Sequence, residues 1–484
     1  MGLCQTKTTM RRNPSILTRG DTTITEVSNF VADYVPQNPS KITQDYKVSS
    51  EVIGRGTYGE IRAALHIPTN EMRAIKIIFK NESESNEIKS IFREIQLLKQ
   101  LDHPNIIKIY EYFADEKFIF IVTELVRDGQ LFEQIIDAHH FSEKRAALIF
   151  RQILSAVNYL HHNFIVHRDL KSENIILEGD IIKLVDFGTA QEFASDQKMK
   201  GAYGTAYYMA PEVIENEYNE KCDVWSCGVI LYMMLCGSPP FDGDNDDEIL
   251  LNIHKGQFTF ELPEFELISD YAKKLIQKML TYNPKLRISA AEALEDTWFK
   301  VMLQKDEVPL NPAVFNNLKS FSIKSKMQEA LYFFMVNNMV TKEEKKDLME
   351  TFKALDTNQD GVLSKEELVT GLKKVSNFIS EDEVDQIMAR IDYNKDQTIN
   401  YTEFVAAAID KRKLLSEERI KACFRIFDKD GSGKISTCEL KQMFQGGNIV
   451  DEKVWTDLIK EVDQNGDGEI ELSEFKAILL KLKD

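Results

Sequence analysis

The spacing of apolar and polar residues divides the chain into segments with different predicted structures. From Tyr46 onward, β-branched runs interrupted by glycines predict a set of strands. The first long helical pattern after them has four apolar residues on one face, Ile88, Ile91, Ile95 and Leu98. Between about Gly129 and Phe299 the pattern is mostly helical. Residues 46–299 therefore predict a small β-rich lobe with one helix, followed by a larger helical lobe.

The segments before and after these lobes have their own patterns. Residues 1–45 are rich in Thr, Ser, Asn and Pro and lack sustained periodicity, which predicts a flexible extension. Residues 300–340 contain an amphipathic helix with lysines at its flanks. Its apolar face consists of Ile323, Met327, Ala330, Leu331 and Phe334, and the flanking lysines are Lys319, Lys324 and Lys326. We interpret residues 300–340 as a junction segment with a regulatory role, and a passive linker helix is the alternative.

The last part of the chain, residues 341–484, contains one acidic motif four times. The motif begins at Asp356, Asp392, Asp428 and Asp463, so its spacings are 36, 36 and 35 residues. This spacing suits a repeated unit of helix, twelve-residue loop and helix. It predicts EF-hand loops at 356–367, 392–403, 428–439 and 463–474. One acidic loop alone could be a solvated turn, but four loops in register favour calcium binding.

Each loop has oxygen donors at the positions that an EF-hand uses to bind Ca²⁺, with a backbone carbonyl at position 7 and a bidentate Glu at position 12. The predicted ligands are Asp356, Asn358, Asp360, Val362 and Glu367 in the first loop; Asp392, Asn394, Asp396, Thr398 and Glu403 in the second; Asp428, Asp430, Ser432, Lys434 and Glu439 in the third; and Asp463, Asn465, Asp467, Glu469, Glu471 and Glu474 in the fourth.

Position 6 of the loop requires a sharp turn that favours glycine. Gly361, Gly433 and Gly468 meet this requirement, whereas the second loop has Gln397. Because a side chain in a left-handed conformation costs about 1–2 kcal/mol, we hypothesise that the second loop binds Ca²⁺ more weakly than the fourth. Apolar residues at position 8 predict that the loops pair in twos; they are Leu363, Ile399, Ile435 and Ile470.

Length, charge and cysteine content restrict the possible function classes. A chain of 484 residues predicts two or more domains, and a net charge of -18 with a pI near 5.1 argues against nucleic-acid binding. The six cysteines include no C-x-x-C pair, which predicts free thiols in a reducing compartment. The longest apolar run, Trp225 to Cys236, is too short to span a membrane, and no secretory signal is recognised near the start.

Residues 46–299 also contain five signatures in a fixed order. They are Gly54-Arg55-Gly56-Thr57-Tyr58-Gly59, Ala74-Ile75-Lys76, His167-Arg168-Asp169-Leu170-Lys171-Ser172-Glu173-Asn174, Asp186-Phe187-Gly188 and Ala210-Pro211-Glu212. The glycine stretch alone would equally suit a hairpin turn. The complete set in this order resembles the protein kinases.

This resemblance implies roles in phosphoryl transfer for individual residues of this segment. The implied catalytic residues are Lys76 on the ATP phosphates, Glu94 as its ion-pair partner, Asp169 on the substrate hydroxyl, Lys171 on the γ-phosphate, and Asn174 and Asp186 as Mg²⁺ ligands. The implied ATP-binding residues are Ile53, Gly54, Arg55, Gly56, Thr57, Tyr58, Gly59, Ile61, Ala74, Lys76, the gatekeeper Thr123, the hinge residues Glu124 and Leu125, and Ile176. The spacing of Lys171 favours Ser or Thr over Tyr as the acceptor.

Three positions depart from the usual kinase pattern. Gly201 stands where many kinases have the phosphorylated residue of the activation loop, so a phosphate paired with arginine is not expected to be the switch. Gln130 replaces a glutamate that reads basic substrates, which leaves Glu173 as the remaining acidic reader. Ser172 replaces a common proline.

A kinase, a junction and a four-EF-hand tail in one chain resemble the calcium-dependent protein kinase family of plants, algae and protists. The resemblance implies an α+β bilobal protein kinase fold followed by an all-α calmodulin-like domain of four EF-hands. It implies a calcium-activated serine/threonine kinase that uses ATP, Mg²⁺ and Ca²⁺. In that family the junction blocks the catalytic cleft until calcium opens the EF-hands, which then capture helical segments.

The first residues, Met1-Gly2-Leu3-Cys4-Gln5-Thr6, match the N-myristoylation pattern. Because one myristoyl chain binds membranes only marginally, Cys4 as a palmitoyl acceptor and the basic pair Arg11 and Arg12 as an aid would supply the second signal. Cys4 could instead be an unmodified thiol. We expect a cytoplasmic protein, held peripherally at the cytoplasmic face of a membrane.

Two other function classes remain open from sequence. One is a calcium-sensing adaptor whose kinase lobes only bind nucleotide, and the other is a calcium buffer. The complete set of catalytic residues favours the enzyme. A phosphotransfer assay with Lys76→Met and Asp186→Asn as controls would separate an enzyme from an adaptor.

Overall fold

The computed structural model of the chain describes residues 37–38, 40–56, 59–80, 85–194, 198–201, 203–303, 311–375, 379–444 and 452–482. Within these residues the apolar cores fall into two main clusters. One contains residues between Ile78 and Phe299, and the other contains residues between Val314 and Leu482. The kinase-like part and the part after it therefore each have a hydrophobic core of their own.

The small lobe is a five-stranded antiparallel sheet with one long helix. Its elements are α1 (Ile42–Asp45), β1 (Tyr46–Gly56), β2 (Gly59–His66), β3 (Glu71–Phe79), α2 (Ser85–Gln100), β4 (Ile109–Ala114) and β5 (Phe118–Glu124), with strand order β1-β2-β3-β5-β4. The turn between β1 and β2 depends on Gly59. A Cβ atom there would lie 1.9 Å from the carbonyl oxygen of Ile77, so only glycine fits.

The end of the N-terminal extension is ordered, which corrects the prediction of a flexible segment up to residue 45. Asn38 donates a backbone hydrogen bond to Tyr112 O at 2.9 Å and a side-chain hydrogen bond to Glu111 at 2.7 Å. The Glu111 carboxylate also accepts from the Tyr46 hydroxyl at 2.5 Å. Asn38 and Ile42 are both buried against this side of the sheet. The sequence missed this because the partners lie about 65 to 73 residues away.

The large lobe is helical, with short strands near the cleft. Its elements are α3 (Leu131–Ala138), α4 (Glu143–His162), β6 (Ile165–Val166), β7 (Ile175–Glu178), β8 (Ile181–Leu184), β9 (Gln191–Glu192), α5 (Pro211–Ile214), α6 (Lys221–Cys236), α7 (Asp246–Lys255), α8 (Asp270–Met279), α9 (Ala290–Leu294) and α10 (Thr297–Met302). Helix α6 is buried on all sides, as its uniformly apolar sequence predicts.

A buried ion pair connects two distant parts of the large lobe. Arg287 donates to both oxygens of Glu212 at 2.5 and 3.0 Å, and the two side chains are 0% and 6% exposed. Arg287 also donates to the carbonyl oxygens of Thr281, Lys221 and Tyr282 at 2.9 to 3.2 Å. All the donors of the guanidinium are thereby satisfied inside the core, which such a burial requires.

The described residues after the large lobe are helical apart from two short strands and the loops that connect these elements. Its elements are α11 (Pro312–Ser320), α12 (Lys326–Met339), α13 (Lys342–Leu355), α14 (Lys365–Val375), α15 (Glu381–Ile391), α16 (Tyr401–Ala408), α17 (Lys411–Leu414), α18 (Glu417–Phe427), β10 (Lys434–Ile435), α19 (Thr437–Phe444), α20 (Glu452–Lys460), β11 (Ile470–Glu471) and α21 (Leu472–Leu480). The two junction helices α11 and α12 are packed inside this helical part and share its core.

The described residues also bear on membrane-spanning helices and on the state of the cysteines. None of the helices there is both long enough and apolar enough to cross a membrane. The five cysteines in this part of the chain are free thiols, as predicted; they are Cys222, Cys227, Cys236, Cys423 and Cys438.

We expect Arg287→Met to destabilise the large lobe by about 3–5 kcal/mol, because it leaves the Glu212 carboxylate buried without a counterion. The measurement is the thermal unfolding transition of the full chain, followed by near-ultraviolet circular dichroism. The matched control is Lys198→Met, which removes an exposed ion pair with Glu217 whose side chains are 56% and 58% exposed. An unchanged transition for Arg287→Met would show that the pair contributes nothing.

Candidate active site and calcium-binding loops

An ion pair between strand β3 and helix α2 fixes the first catalytic side chain. The amino group of Lys76 lies 3.1 Å from Glu94 Oε1 and 3.3 Å from Oε2. The side chains are only 15% and 5% exposed, so water screens the pair weakly. The two residues that the sequence predicted as partners are therefore in contact, and Lys76 is positioned to bind phosphate.

The glycine-rich turn lies beside this lysine. Ile53, Gly54, Arg55 and Gly56 end β1, and Gly59 and Ile61 begin β2. Ile61 is paired with Lys76 across the sheet, and a Cβ atom on Gly56 would lie 3.8 Å from the side chain of Lys76. The turn therefore lies next to Lys76, while Thr57 and Tyr58 lie outside the described residues.

The catalytic loop brings three predicted residues together. Lys171 forms an ion pair with Asp169 at 2.8 Å. Asn174 donates to the backbone oxygen of Asp169 at 2.9 Å and to its carboxylate at 3.3 Å. Asp169 is thereby held between a cation and an amide.

Thr205 belongs to the same cluster, although its sequence position did not predict this role. Its hydroxyl donates to Asp169 Oδ1 at 3.3 Å and accepts from Lys171 at 3.0 Å. The only available signal was its position five residues before the Ala210-Pro211-Glu212 signature. Because Thr205 contacts both catalytic side chains, it connects the catalytic loop to the segment that follows Asp186.

The buried carboxylate of Asp223 binds the backbone of the catalytic loop. Asp223 accepts from the backbone N–H groups of His167 and Arg168 at 2.9 and 3.0 Å, and its Oδ2 is 3.0 Å from His161 Nε2. Burial by itself raises the pKa of Asp223, but the hydrogen bond and charge of His161 and the contacts with His167 lower the pKa below its ordinary value. Asp223 therefore stays ionised and fixes the backbone directly before Asp169.

The Mg²⁺ ligands implied by the sequence lie on two adjacent segments. Val185 donates its backbone N–H to Asn174 O at 2.9 Å, which joins the segment of Asp186 to the catalytic loop. Asp186 has a φ of +62°, an uncommon backbone conformation that turns this residue relative to its neighbours. One carboxylate and one amide oxygen suit Mg²⁺, which keeps several waters and binds the substrate phosphates. The two side chains thus fit the metal.

The predicted adenine-binding residues lie on both lobes. Ala74 pairs with Thr123 between β3 and β5, and Ile176 lies on β7 of the large lobe. The Glu124 side chain is turned away, because it accepts from Lys183 and from the backbone of Lys108. Burial raises the pKa of Glu124, but Lys183 brings its pKa below the ordinary value.

The carbonyl oxygen of Leu125, on the predicted hinge, has a partner from the helical part after the kinase lobes. It accepts a hydrogen bond from the amino group of Lys342. The role of Leu125 in reading adenine stays a prediction. The sequence could not reveal this contact, because the two residues are 217 positions apart.

Glu173, the predicted acidic reader of the substrate, has two hydrogen-bond partners. Glu173 accepts from the hydroxyls of Ser172 and Tyr208 at 3.1 and 3.2 Å, so its carboxylate is held in place. Ser172 is fully buried and lies 2.7 Å from the Tyr208 hydroxyl, which gives a structural role to this departure from proline. Gln130 is the N-cap residue of α3.

The four calcium loops have the same internal hydrogen bonds. In each, the position-1 aspartate accepts from the backbone of position 6, and the position-12 glutamate accepts from the backbone of positions 2, 3 and 9. The glutamates are Glu367, Glu403, Glu439 and Glu474. The predicted ligand residues of each loop are therefore gathered around one centre.

Two observations indicate that these centres suit a cation. In the third loop, carboxylate oxygens of Asp428, Asp430 and Glu439 lie within 4.8 Å of one another. In the first loop, Asp356 Oδ1 is buried without a hydrogen-bond partner among the described residues. Burial, followed by the charges of Asp360 and Glu367, raises the pKa of Asp356 to about 8. A divalent cation would relieve both the lost hydration and the repulsion.

The second loop is strained where the sequence predicted it. Gln397 has a φ of +71°, close to the +81° to +84° of Gly361, Gly433 and Gly468 at the same position. Lys395 in the same loop also has a positive φ, +58°. Loops 3 and 4 have glycine at both positions, so the second loop combines two side chains with a left-handed backbone.

The loops pair in twos, as the apolar residues at position 8 predicted. Leu363 and Ile399 exchange backbone hydrogen bonds of 2.8 and 2.9 Å, and β10 pairs with β11 through Ile435 and Ile470. Lys434 additionally extends its amino group toward the fourth loop, where it forms ion pairs with Asp467 and with Glu471 at 3.3 Å.

The first loop packs directly on the large kinase lobe, which the sequence did not predict. Asn158 on α4 donates to Gln359 O at 3.1 Å. A Cβ atom on Gly361 would lie 2.6 Å from a ring atom of His103 and 2.7 Å from one of Tyr159. Gly361 therefore serves both the loop turn and the contact with the kinase lobe.

Comparisons with known proteins agree with this arrangement. The family model described as "Protein kinase domain" matches residues 47–299, and the one described as "EF-hand domain pair" matches residues 345–409 and 417–480. Over 467 residues the chain is 43% identical to "Calcium-dependent protein kinase 4" of Plasmodium berghei and to that of Plasmodium falciparum, with 92% of this chain and 88% of each relative covered. It is 36% identical to "Calcium-dependent protein kinase 5" of Plasmodium falciparum, over 94% of this chain and 82% of the relative.

We expect Gln397→Gly to tighten Ca²⁺ binding at the second loop by roughly five- to thirtyfold, because it removes a strain of about 1–2 kcal/mol. The measurement is calorimetric titration of the full chain in which Glu367, Glu439 and Glu474 are changed to Gln, leaving the second loop intact. The reciprocal control, Gly468→Gln with the fourth loop left intact, should weaken that site by a similar factor. Unchanged affinity for Gln397→Gly would contradict the hypothesis.

Proposed function

Because the chain belongs to the calcium-dependent protein kinases, we propose that its junction, residues 300–340, switches the enzyme between two states. Without calcium the junction inhibits the kinase lobes by occupying the catalytic cleft. With calcium the EF-hand pairs hold the junction and leave the cleft free for ATP and a protein substrate. The acceptor in the substrate is a serine or threonine hydroxyl.

One observation carries this proposal, namely the enclosure of the junction helix α12 by the EF-hand pairs. Large apolar side chains of this helix are buried, among them Met327, Leu331, Phe333 and Phe334. Phe334 packs edge-to-face on Phe427 with ring centroids 4.8 Å apart. Buried apolar residues lie all around α12 and not on the single face that the sequence predicted, and Ile323 precedes its first residue. Such a helix needs a cover, and the EF-hands supply it.

Polar groups fix the position of the junction within this enclosure. The Tyr332 hydroxyl donates to Ala406 O at 2.8 Å, and Gln328 donates to Ile478 O at 2.8 Å. Asn317 on α11 donates to Ala408 O at 2.7 Å. Both EF-hand pairs therefore hold the junction, since Ala406 and Ala408 belong to the first pair and Ile478 to the second.

The state of the kinase lobes supports the second half of the proposal. While the junction is enclosed, the Lys76–Glu94 ion pair is formed and Asp169 is held by Lys171 and Asn174. These are the contacts that phosphoryl transfer requires of the protein. The chain's own groups then bind the ATP phosphates through Lys76 and orient the acceptor hydroxyl through Asp169. When bound, Mg²⁺ neutralises charge on the transferring phosphate.

We expect the full chain to phosphorylate a serine peptide in Ca²⁺ but not in chelator, whereas a chain ending at Leu303 is equally active in both. The truncation is feasible because the kinase lobes have a separate core, and it removes the inhibitory segment. The measurement is the initial rate of phosphate transfer with Lys76→Met as the inactive control. A truncated chain whose activity still depended on Ca²⁺ would contradict inhibition by the junction.

The role of the EF-hands in activation can be tested with further variants in the same assay. Changing the position-12 glutamates Glu367, Glu403, Glu439 and Glu474 to Gln should leave the full chain inactive in Ca²⁺. The matched control changes four exposed glutamates that are not ligands, Glu350, Glu366, Glu381 and Glu418, and should retain activation.

We also propose that the N terminus anchors the enzyme peripherally to the cytoplasmic face of a membrane. Gly2 and Cys4 lie outside the described residues, and the support is the match of residues 1–6 to the myristoylation pattern. One acyl chain gives only marginal binding, so a palmitoyl group on Cys4 would supply the second signal.

We expect Gly2→Ala to move the full chain from the membrane to the soluble fraction of a eukaryotic host, because it removes the myristoyl acceptor. Cys4→Ser should weaken binding while leaving the myristoyl mass in place. The measurements are flotation on a density gradient and intact mass. Parent protein with an unmodified Gly2 would exclude the anchor without affecting the kinase proposal.

A further inference from the structure

Arg168 lies directly before the catalytic Asp169 and has an unusual set of partners. Its Nε donates to Thr189 O at 2.6 Å, and one terminal nitrogen is 3.4 Å from the Tyr218 hydroxyl. Among the described residues no carboxylate forms an ion pair with it. Instead the guanidinium lies over the ring of Tyr203, with its central carbon 4.2 Å from the ring centroid. That distance is typical of a cation–π contact.

Gly201 provides the space for this ring. Its φ is +101°, and a Cβ atom there would lie 2.4 Å from Tyr203 Cε2. No other residue could occupy position 201 without displacing the ring or the backbone. The backbone N–H of Gly201 is itself bound by the side chain of Asn216, which fixes the turn. The glycine and the tyrosine thus form one geometric unit.

This unit lies where other kinases place a regulatory phosphate. Such a phosphate orders the activation segment, here residues 186–212, by pairing with an arginine. Gly201 has no hydroxyl to phosphorylate, yet the arginine is present and its charged face is covered. An aromatic ring attracts a guanidinium without carrying a charge, so it can perform the ordering permanently.

We propose that Tyr203 is a positioning residue for phosphoryl transfer, with its ring replacing a phosphate as the partner of Arg168. This inference rests on the kinase activity of the chain and is independent of inhibition by the junction. It holds Gly201 and the residues from Tyr203 to Thr205 in place without a phosphate, so that calcium is the remaining input.

The residues after Tyr203 connect it to the catalytic groups. Gly204 has a φ of +116°, and a Cβ atom there would lie 3.2 Å from Arg168 O. Thr205 follows and contacts both Asp169 and Lys171. Holding the ring of Tyr203 over Arg168 therefore holds Thr205 against the catalytic pair. Release of the ring would loosen Thr205 before it affected the more distant ATP-binding residues.

The test is steady-state phosphorylation of a serine peptide by the full chain at saturating Ca²⁺. We expect Tyr203→Ala and Tyr203→Leu to lower kcat by roughly three- to thirtyfold with little change in the KM for ATP, while Tyr203→Phe stays within about twofold of the parent. Gly201→Ala should lower kcat by a similar factor, since its methyl group displaces the ring of Tyr203. Thermal midpoints of all variants separate this effect from unfolding. A Phe variant as impaired as the Ala variant would overturn the proposal.

A double-mutant comparison determines whether Tyr203 acts through Arg168. In an Arg168→Gln background, Tyr203→Ala should cause little further loss, because the partner is already absent. An equal fold loss in both backgrounds would overturn the proposal. Phosphatase-treated parent protein should retain its kcat, and loss of activity after that treatment would also overturn it. Each kcat is compared with that of the parent at saturating Ca²⁺. A failure of calcium switching would instead appear in the comparison of Ca²⁺ with chelator.

Discussion

The organisation of this protein depends on the need to cover one apolar helix. Burial of a single large apolar side chain contributes about 1.5–3 kcal/mol, and α12 has several of them on all sides. Exposing several of them to water would cost an amount comparable with the net stability of a typical domain, about 5–15 kcal/mol. The junction helix therefore needs a cover, and a switch that releases it from the EF-hands would have to supply another one. An EF-hand groove is a suitable cover because its availability depends on a bound ion.

The calcium loops link ion binding to the shape of that groove through electrostatics. Each position-12 glutamate accepts backbone hydrogen bonds from its loop and also lies in the first turn of the exiting helix, as Glu403 does at the start of α16. Burial raises the pKa of Glu403 to about 8, opposed by its backbone hydrogen bonds. A cation at the centre favours the ionised form and fixes the exiting helix relative to the loop. Helix α16 in turn contacts both α11 and α12.

Local patterns predicted the chemistry of this protein well, and long-range contacts account for what they missed. The resemblance to the kinases implied the pair of Lys76 and Glu94, and spacing predicted the ligands of each loop, because these sets lie on adjacent elements or on single motifs. Thr205 was missed because its role depends on a fold that returns it to Asp169, 36 residues earlier. The hydrogen bond from Lys342 to the Leu125 carbonyl and the position of the first calcium loop on α4 are contacts between domains. No periodicity within one segment contains that information.

Those contacts between domains place the calcium sensor close to the catalytic loop. The first calcium loop rests on Asn158 and on Tyr159, both in the last turns of α4. His161, two residues later on the same helix, contacts Asp223, which holds the backbone of Arg168 beside Asp169. One rigid helix thus touches the sensor with one part of its surface and the support of the catalytic loop with another. A side chain at Gly361 would separate the loop from α4, so the glycine that turns the calcium loop also permits the two domains to meet.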